Sequence, residues 1–116
     1  MRDEKDNQKT KEMLLAHKIL AEMIGTFTMI FVGGGSIILA ERHILPSFCI
    51  PIAWGLTIAL MIFAVGHVSG AHFNPAVTLA FAVSNRIAFS DIPLYWGSQL
   101  CGGLMAVGLL EVLRKI

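Results

Sequence analysis

The residues best placed to do chemistry lie between positions 66 and 78, in the run GHVSGAHFNPAVT. Asn74 is a favoured helix N-cap, because its side-chain oxygen can accept from a backbone N–H that has no partner within the helix. Pro75 at the first helical position loses nothing, since its missing N–H would have been unpaired there anyway. A helix starting at this point turns the positive end of its dipole toward whatever lies before it. Exposed carbonyls of the preceding stretch add acceptors. Such an arrangement suits a neutral, hydrogen-bonding solute and repels protons and cations. Other chemistries lack their parts. No Cys, Asp or Glu joins His67 and His72 to complete a metal site. The glycines at 33–35 are not followed by the Lys-Ser/Thr of a phosphate loop. No nucleophile–base pair is visible, and the acids Glu41, Asp91 and Glu111 sit at the ends of apolar segments. The chain therefore reads as neither an enzyme nor a cofactor protein. Its net charge of +1 offers no basic surface for nucleic acid. Cys49 and Cys101 both fall in apolar segments and read as packing residues.

The elements that hold this motif are set by where charge is absent. Of 116 residues, 55% are hydrophobic and 15% charged, with a mean hydropathy of +0.70. Met23–Ala40 runs 18 residues without Asp, Glu, Lys or Arg, Ile44–Asn85 runs 42, and Ile92–Leu110 runs 19. A membrane-spanning helix needs about 20 mostly apolar residues, so the chain reads as an all-α membrane protein. Spans are expected over about 14–40, 47–65 and 92–113. Pro46 and Pro51 fall at the start of the second, and Ser90 or Asp91 is expected to cap the third. Residues 1–13, charged and without apolar periodicity, read as a mobile cytoplasmic tail. The row Ser98, Gly102, Ala106 fits a close helix crossing.

The 42-residue gap is too long for one span. Placing the N-terminus in the cytoplasm puts Arg2, Lys5, Lys9, Lys11, Lys18 and Arg86 inside and only Arg42, Arg114 and Lys115 outside, as the positive-inside rule favours. That count requires residues 66–85 to enter and leave on one side. A half-helix from Asn74 would run about 16 Å, half the hydrocarbon thickness. The stretch before it would descend in extended form, with Ser69, Gly70 and Ala71 small enough for close approach. Irregular backbone at that depth is tolerated only inside protein or along a water-filled cavity. The residues alone leave two readings open: a kink or turn between two spans, or a re-entrant pore element.

The stretch GHVSGAHFNPAVT resembles the first signature loop of the aquaporin (major intrinsic protein) family. AEMIGTFTMIFVGGGS at 21–36 resembles that family's first helix, and GSQLCGG at 97–103 its third. The loop and Trp54 look most like the plant nodulin-26-like subfamily. The resemblance implies three transmembrane helices plus one re-entrant half-helix, equal to one inverted repeat of the family fold, over residues 14–116. It implies that Asn74, Pro75 and Ala76 match the first Asn-Pro-Ala signature, whose Asn amide donates to a passing solute. Gly70, Ala71 and His72 match positions whose carbonyls line the pore. Trp54 matches a constriction position, with an interfacial belt residue as the alternative. Glu22 matches a buried acid that holds the loop, with a surface pair to Lys18 as the alternative. Gln99 falls at a matching place on the third helix.

The family's second Asn-Pro-Ala, its constriction arginine and the other filter positions have no counterpart in these residues. The chain is thus expected to be a truncated first half of a multi-pass channel for water and small neutral solutes, such as glycerol-like molecules or metalloid acids. It is expected to need a second half-channel or a full-length homologue for transport, and the family suggests a homotetramer in a plasma or intracellular membrane. The alternative is a non-conducting fragment that associates with full-length subunits. An unrelated three-span structural protein is the remaining possibility.

Overall fold

The computed structural model describes residues 1–116. Four α-helices follow in order: α1 (Arg2–Glu41), α2 (Cys49–Ser69), α3 (Pro75–Val83) and α4 (Ile92–Lys115), with one turn of 3-10 helix at Phe89–Asp91 leading into α4. There is no strand. Three segments are long and apolar enough to cross a membrane: α1, α2, and α4 with its leading turn. The fourth helix, α3, has nine residues and is about 14 Å long, enough to reach only part-way through a bilayer.

The first helix is 40 residues long, about 60 Å, and sets the 63 Å long axis of the molecule. Residues 2–13, expected as an irregular tail, continue it. Their Glu, Lys, Gln and Arg are good helix formers, and extending a helix already begun avoids the cost of nucleation. The second helix also outruns its expected end at Val65. It takes in Gly66, His67, Val68 and Ser69, which the spacing places in an extended descent. It stops where Gly70 turns left-handed (φ 88°) and donates its N–H to the Gly66 carbonyl at 2.9 Å. The stretch expected to descend in extended form is thereby shortened to Gly70–Phe73, and three of these four residues are left-handed, not extended. At α4, Asp91 stands at the N-cap position but neither it nor Ser90 caps with its side chain; the helix continues from the 3-10 turn, which the Asp91 N–H closes on the Ala88 carbonyl at 3.0 Å.

The helices meet through small residues. Ser98, Gly102 and Ala106 are buried along one stripe of α4, and Gly102 lies so close to the Met23 carbonyl that a Cβ there would overlap it. The glycine run of α1 serves α2 and α4: Gly33 seats the Trp54 indole, and Gly34 faces Leu110. Large apolar side chains such as Leu56, Leu60, Phe63, Leu100 and Leu104 point outward. The buried set includes Glu22, Thr26, Ser69, His72, Thr78, Ser98 and Gln99. Apolar surface outside and polar groups within is what a lipid environment selects, because unpaired polar groups cannot face hydrocarbon.

Candidate re-entrant site

Glu22 is the centre of the polar core and is fully buried. Its Oε1 accepts from the Ser69 hydroxyl at 2.7 Å and the His72 N–H at 2.9 Å. Its Oε2 accepts from the Phe73 N–H at 2.8 Å and the Gln99 amide at 2.8 Å. A buried carboxylate is costly unless its oxygens are paired, and four donors to an anion are strong hydrogen bonds. Lys18 makes no ion pair with it; the ion pairs of the chain join Glu111 to Arg114 and Lys115 at the end of α4. The bonds of Glu22 thus run to the loop and to α4, and none runs to Lys18.

The anchoring sets an unusual backbone path. Gly70, Ala71 and Phe73 all have positive φ, at 88°, 52° and 53°. A left-handed conformation costs a residue with a Cβ about 1–2 kcal/mol, so two such residues need restraint. The Ala71 N–H bonds the Ser69 hydroxyl at 3.1 Å, and the next two N–H groups bond Glu22. The Phe73 ring is buried where Gly25 leaves no Cβ in its way. With these N–H groups committed to α1 and Ser69, none of the four carbonyls from Gly70 to Phe73 accepts from a protein group. Four consecutive acceptors are left over.

A second tier of bonds ties the loop to α3 and α4. The Tyr95 hydroxyl donates to the Ser69 carbonyl at 2.6 Å. Thr78 donates to the Asn74 carbonyl at 3.2 Å and accepts from Gln99 at 2.9 Å. The same hydroxyl oxygen lies 3.1 Å from His72 Nδ1. The ring sits between Phe81 and Tyr95, with centroids at 4.4 and 4.8 Å. His67, by contrast, is exposed on α2, and no group of three metal-ligating side chains exists.

Asn74 caps α3 as its type and position predict. Its Oδ1 accepts the Ala76 N–H at 2.8 Å, with Pro75 at the first helical position. The cap uses the oxygen and leaves the amide N–H₂ without a protein partner. The Pro75 carbonyl accepts the Trp96 indole N–H at 3.0 Å. Asn74 and Pro75 open onto a groove of about 420 Å³, whose wall includes Trp54, Phe73, Leu100 and Leu104. Trp54, 20 residues earlier in sequence, therefore shares one groove with Asn74, while its ring is half-buried on Gly33. Sequence reasoning did not single out Tyr95, Trp96 and Thr78. Tyr95 stands one helical turn before Gln99, and Thr78 one turn after Asn74, a spacing that would have found both. Nothing in the spacing pointed to Trp96.

Residues 9–116 match the family model described as Major intrinsic protein. Among curated proteins, the chain is 44% identical over 97 residues to Aquaporin NIP3-1 of Arabidopsis thaliana, covering 82% of this chain and 30% of that protein. It is 46% identical over 106 residues to Probable aquaporin NIP4-2 of the same plant, covering 88% of this chain and 37% of the relative. To Nodulin-26 of Glycine max it is 41% identical over 98 residues, covering 83% and 36%. The chain thus spans about a third of the length of the curated relatives it matches.

Proposed function

This chain belongs to the major intrinsic protein family, and from that premise we propose that it supplies one wall of a transmembrane channel for water and small neutral solutes. It is a multi-pass integral membrane protein. The reading is carried by one observation: Glu22 takes up the loop's N–H groups while four carbonyls and the Asn74 amide remain unspent. Donor and acceptors lie along a descent that ends at the positive end of α3. A neutral solute passing there exchanges its water partners for Asn74 and for the carbonyls of Gly70, Ala71 and His72, and Trp54 narrows the approach. A cation meets the helix dipole and is disfavoured.

In this reading Glu22 and Gln99 anchor the loop, and Pro75 and Ala76 begin the half-helix. The span limits of the functional unit follow α1, α2 and α4 from about residue 14, with residues 66–85 re-entrant. The N-terminus lies in the cytoplasm, on the side favoured by the basic residues of positions 2–18 and Arg86. The open groove beside Asn74 packs against a second half-channel, and completed units assemble as tetramers in a plasma or intracellular membrane. The permeant class is water with glycerol-like molecules or metalloid acids.

A second reading rests on the same groove: the chain packs it against a full-length relative and does not itself conduct. Stopped-flow swelling of proteoliposomes separates the two. A chain that conducts by itself raises water flux above empty vesicles. Flux equal to empty vesicles, with the chain co-purifying with a full-length relative, supports the second reading. Unchanged flux both alone and with a relative contradicts the channel reading.

A further inference from the structure

A second groove, of about 450 Å³, opens between the C-terminal halves of α1 and α4 and shares no residue with the Asn74 groove. Eight of its eleven lining residues are hydrophobic. The other three are Gly35, Ser36 and Arg42, and Ser36 gives its hydroxyl hydrogen to the Gly33 carbonyl. Arg42 is thus the one charged group on the wall. Its guanidinium carries five N–H donors and no acceptor. It makes one hydrogen bond, to the Arg114 carbonyl, and takes part in neither ion pair of the chain. The shape of the groove follows from helical spacing. Phe31, Gly35, Ile38 and Arg42 succeed one another at intervals of three and four residues along one face of α1. From Phe31 to Arg42 is about 16 Å of helix, half of the roughly 30 Å hydrocarbon core. An apolar slot one leaflet deep therefore ends at a cation.

Charge separates the occupants that such a slot can take. An apolar helix seated there would cover Arg42 and leave a cation without a counter-charge, which is costly. A second copy, related by a two-fold axis along the membrane normal, would bring a second Arg42 to the same depth. A phospholipid satisfies both ends at once: an acyl chain fills the apolar slot and a phosphate reaches the guanidinium, whose donors match phosphate oxygens. We propose that this groove binds one acyl chain of an anionic phospholipid and that Arg42 holds its phosphate. An anionic headgroup fits better than a zwitterionic one, which brings a cation of its own. Glu111 serves Arg114 and Lys115, and no carboxylate serves Arg42. Basic pockets between membrane helices hold anionic headgroups by the same physics. The bond to the Arg114 carbonyl keeps the guanidinium on the α4 side of the mouth. The inference goes beyond the channel reading, because no residue of the loop takes part in it.

The test uses the full chain in detergent micelles. The probes are dioleoyl phosphatidylglycerol, dioleoyl phosphatidylcholine and inorganic phosphate, and native mass spectrometry counts what each chain binds and how tightly. The expected result is one phosphatidylglycerol per chain, held about fivefold more tightly than phosphatidylcholine, as one basic side chain at the membrane surface implies. Arg42→Gln should remove that preference, and Lys18→Gln, near the other end of the α1 span, should keep it. Gly35→Leu fills the slot and leaves Arg42 in place. A Cβ at Gly35 meets only Leu110, at 3.7 Å, so the new side chain enters the groove without displacing backbone. It should weaken the binding of both lipids about tenfold or more, since the acyl chain loses its apolar contact. A measurement without substitution stands beside these: phosphatidylglycerol with a photoreactive group at the end of its acyl chain should crosslink near Phe31. Equal affinity for the two lipids overturns the proposal. So does a preference that survives Arg42→Gln, lipid binding undiminished in Gly35→Leu, or a crosslink confined to other segments. Phosphate bound as tightly as phosphatidylglycerol also overturns it, because charge alone would then suffice. Dimers that form without lipid and dissociate in Gly35→Leu would assign the groove to a second copy instead. None of these readouts is a flux, so their failure leaves the channel reading standing.

Discussion

The half of the helix seam around Glu22 and the half around Gly33 hold together by different means. Near Glu22, four donors converge on one carboxylate and a second tier joins Tyr95, Thr78, His72 and Gln99. Near Gly33 the contacts are apolar: Trp54 on Gly33, Leu110 on Gly34, and an open groove of about 450 Å³ walled by Phe31, Leu39, Leu45, Leu110 and Leu113. Polar bonds in that half are few. Ser36 donates to the Gly33 carbonyl in its own helix, and Arg42 donates to the Arg114 carbonyl at the exposed end of α4. The difference follows the backbone. In the Gly33 half the packed spans are helical, and the turn between α1 and α2 is closed by backbone bonds from the Ile44 and Leu45 N–H groups to the Leu39 carbonyl, so packing suffices. In the Glu22 half the chain leaves the helix for Gly70–Asn74, and the freed N–H groups of Ala71, His72 and Phe73 bond to side chains.

That contrast can be broken most severely at Glu22. Glu22→Ala strands the N–H groups of His72 and Phe73 and the amide of Gln99, at about 1–3 kcal/mol for each buried group. We expect loss of the folded loop, seen as a large drop in melting temperature in detergent and new protease cleavage near residues 70–74. Next is Gly102→Ala, whose Cβ would meet the Met23 backbone. Backbone yields less readily than a side-chain tip, so overpacking should cost about 1–3 kcal/mol, read from the same melts. Asn74→Ala removes the cap of α3 and should cost about 1 kcal/mol. It should also abolish whatever solute contact the amide makes, so any measured flux falls by more than the stability loss explains. The smallest effect belongs to the packed half. A Cβ added at Gly108 would meet no neighbour within 4 Å, and Gly108→Ala should stabilise by about 0.5–1 kcal/mol through helix propensity. A destabilisation there would mean that the Gly33 half, too, depends on close fits.

The same contrast explains what the sequence made legible. Charge gaps locate the spans because lipid excludes unpaired charge. Asn74 and Pro75 announce the start of α3 because capping is local chemistry. Glu22 and Gln99 lie 77 residues apart and are joined only by tertiary structure; the family resemblance singled out each residue, and neither it nor the spacing gave the bond between them. Two boundaries differ for local reasons. Residues 2–13 lack an apolar face to signal a helix yet inherit one from the span that follows. The end of α2 falls at Ser69 instead of Val65 because Gly70, not the small residues before it, makes the turn. Trp96 reaches the Pro75 carbonyl across two helices, a contact that no periodicity encodes.

The central claim is that α3 is a half-helix that enters from one membrane face and returns to it. Its most direct test is the depth of two spin labels in lipid vesicles, on Val77→Cys and Ser84→Cys, with Cys49 and Cys101 replaced by serine. Seven residues of helix separate the two sites by about 10 Å along the axis. The account predicts the label at 77 near the bilayer midplane and the label at 84 near the headgroups of the leaflet that holds Lys18. A label at 84 in the opposite leaflet, or both labels at headgroup depth, would contradict it.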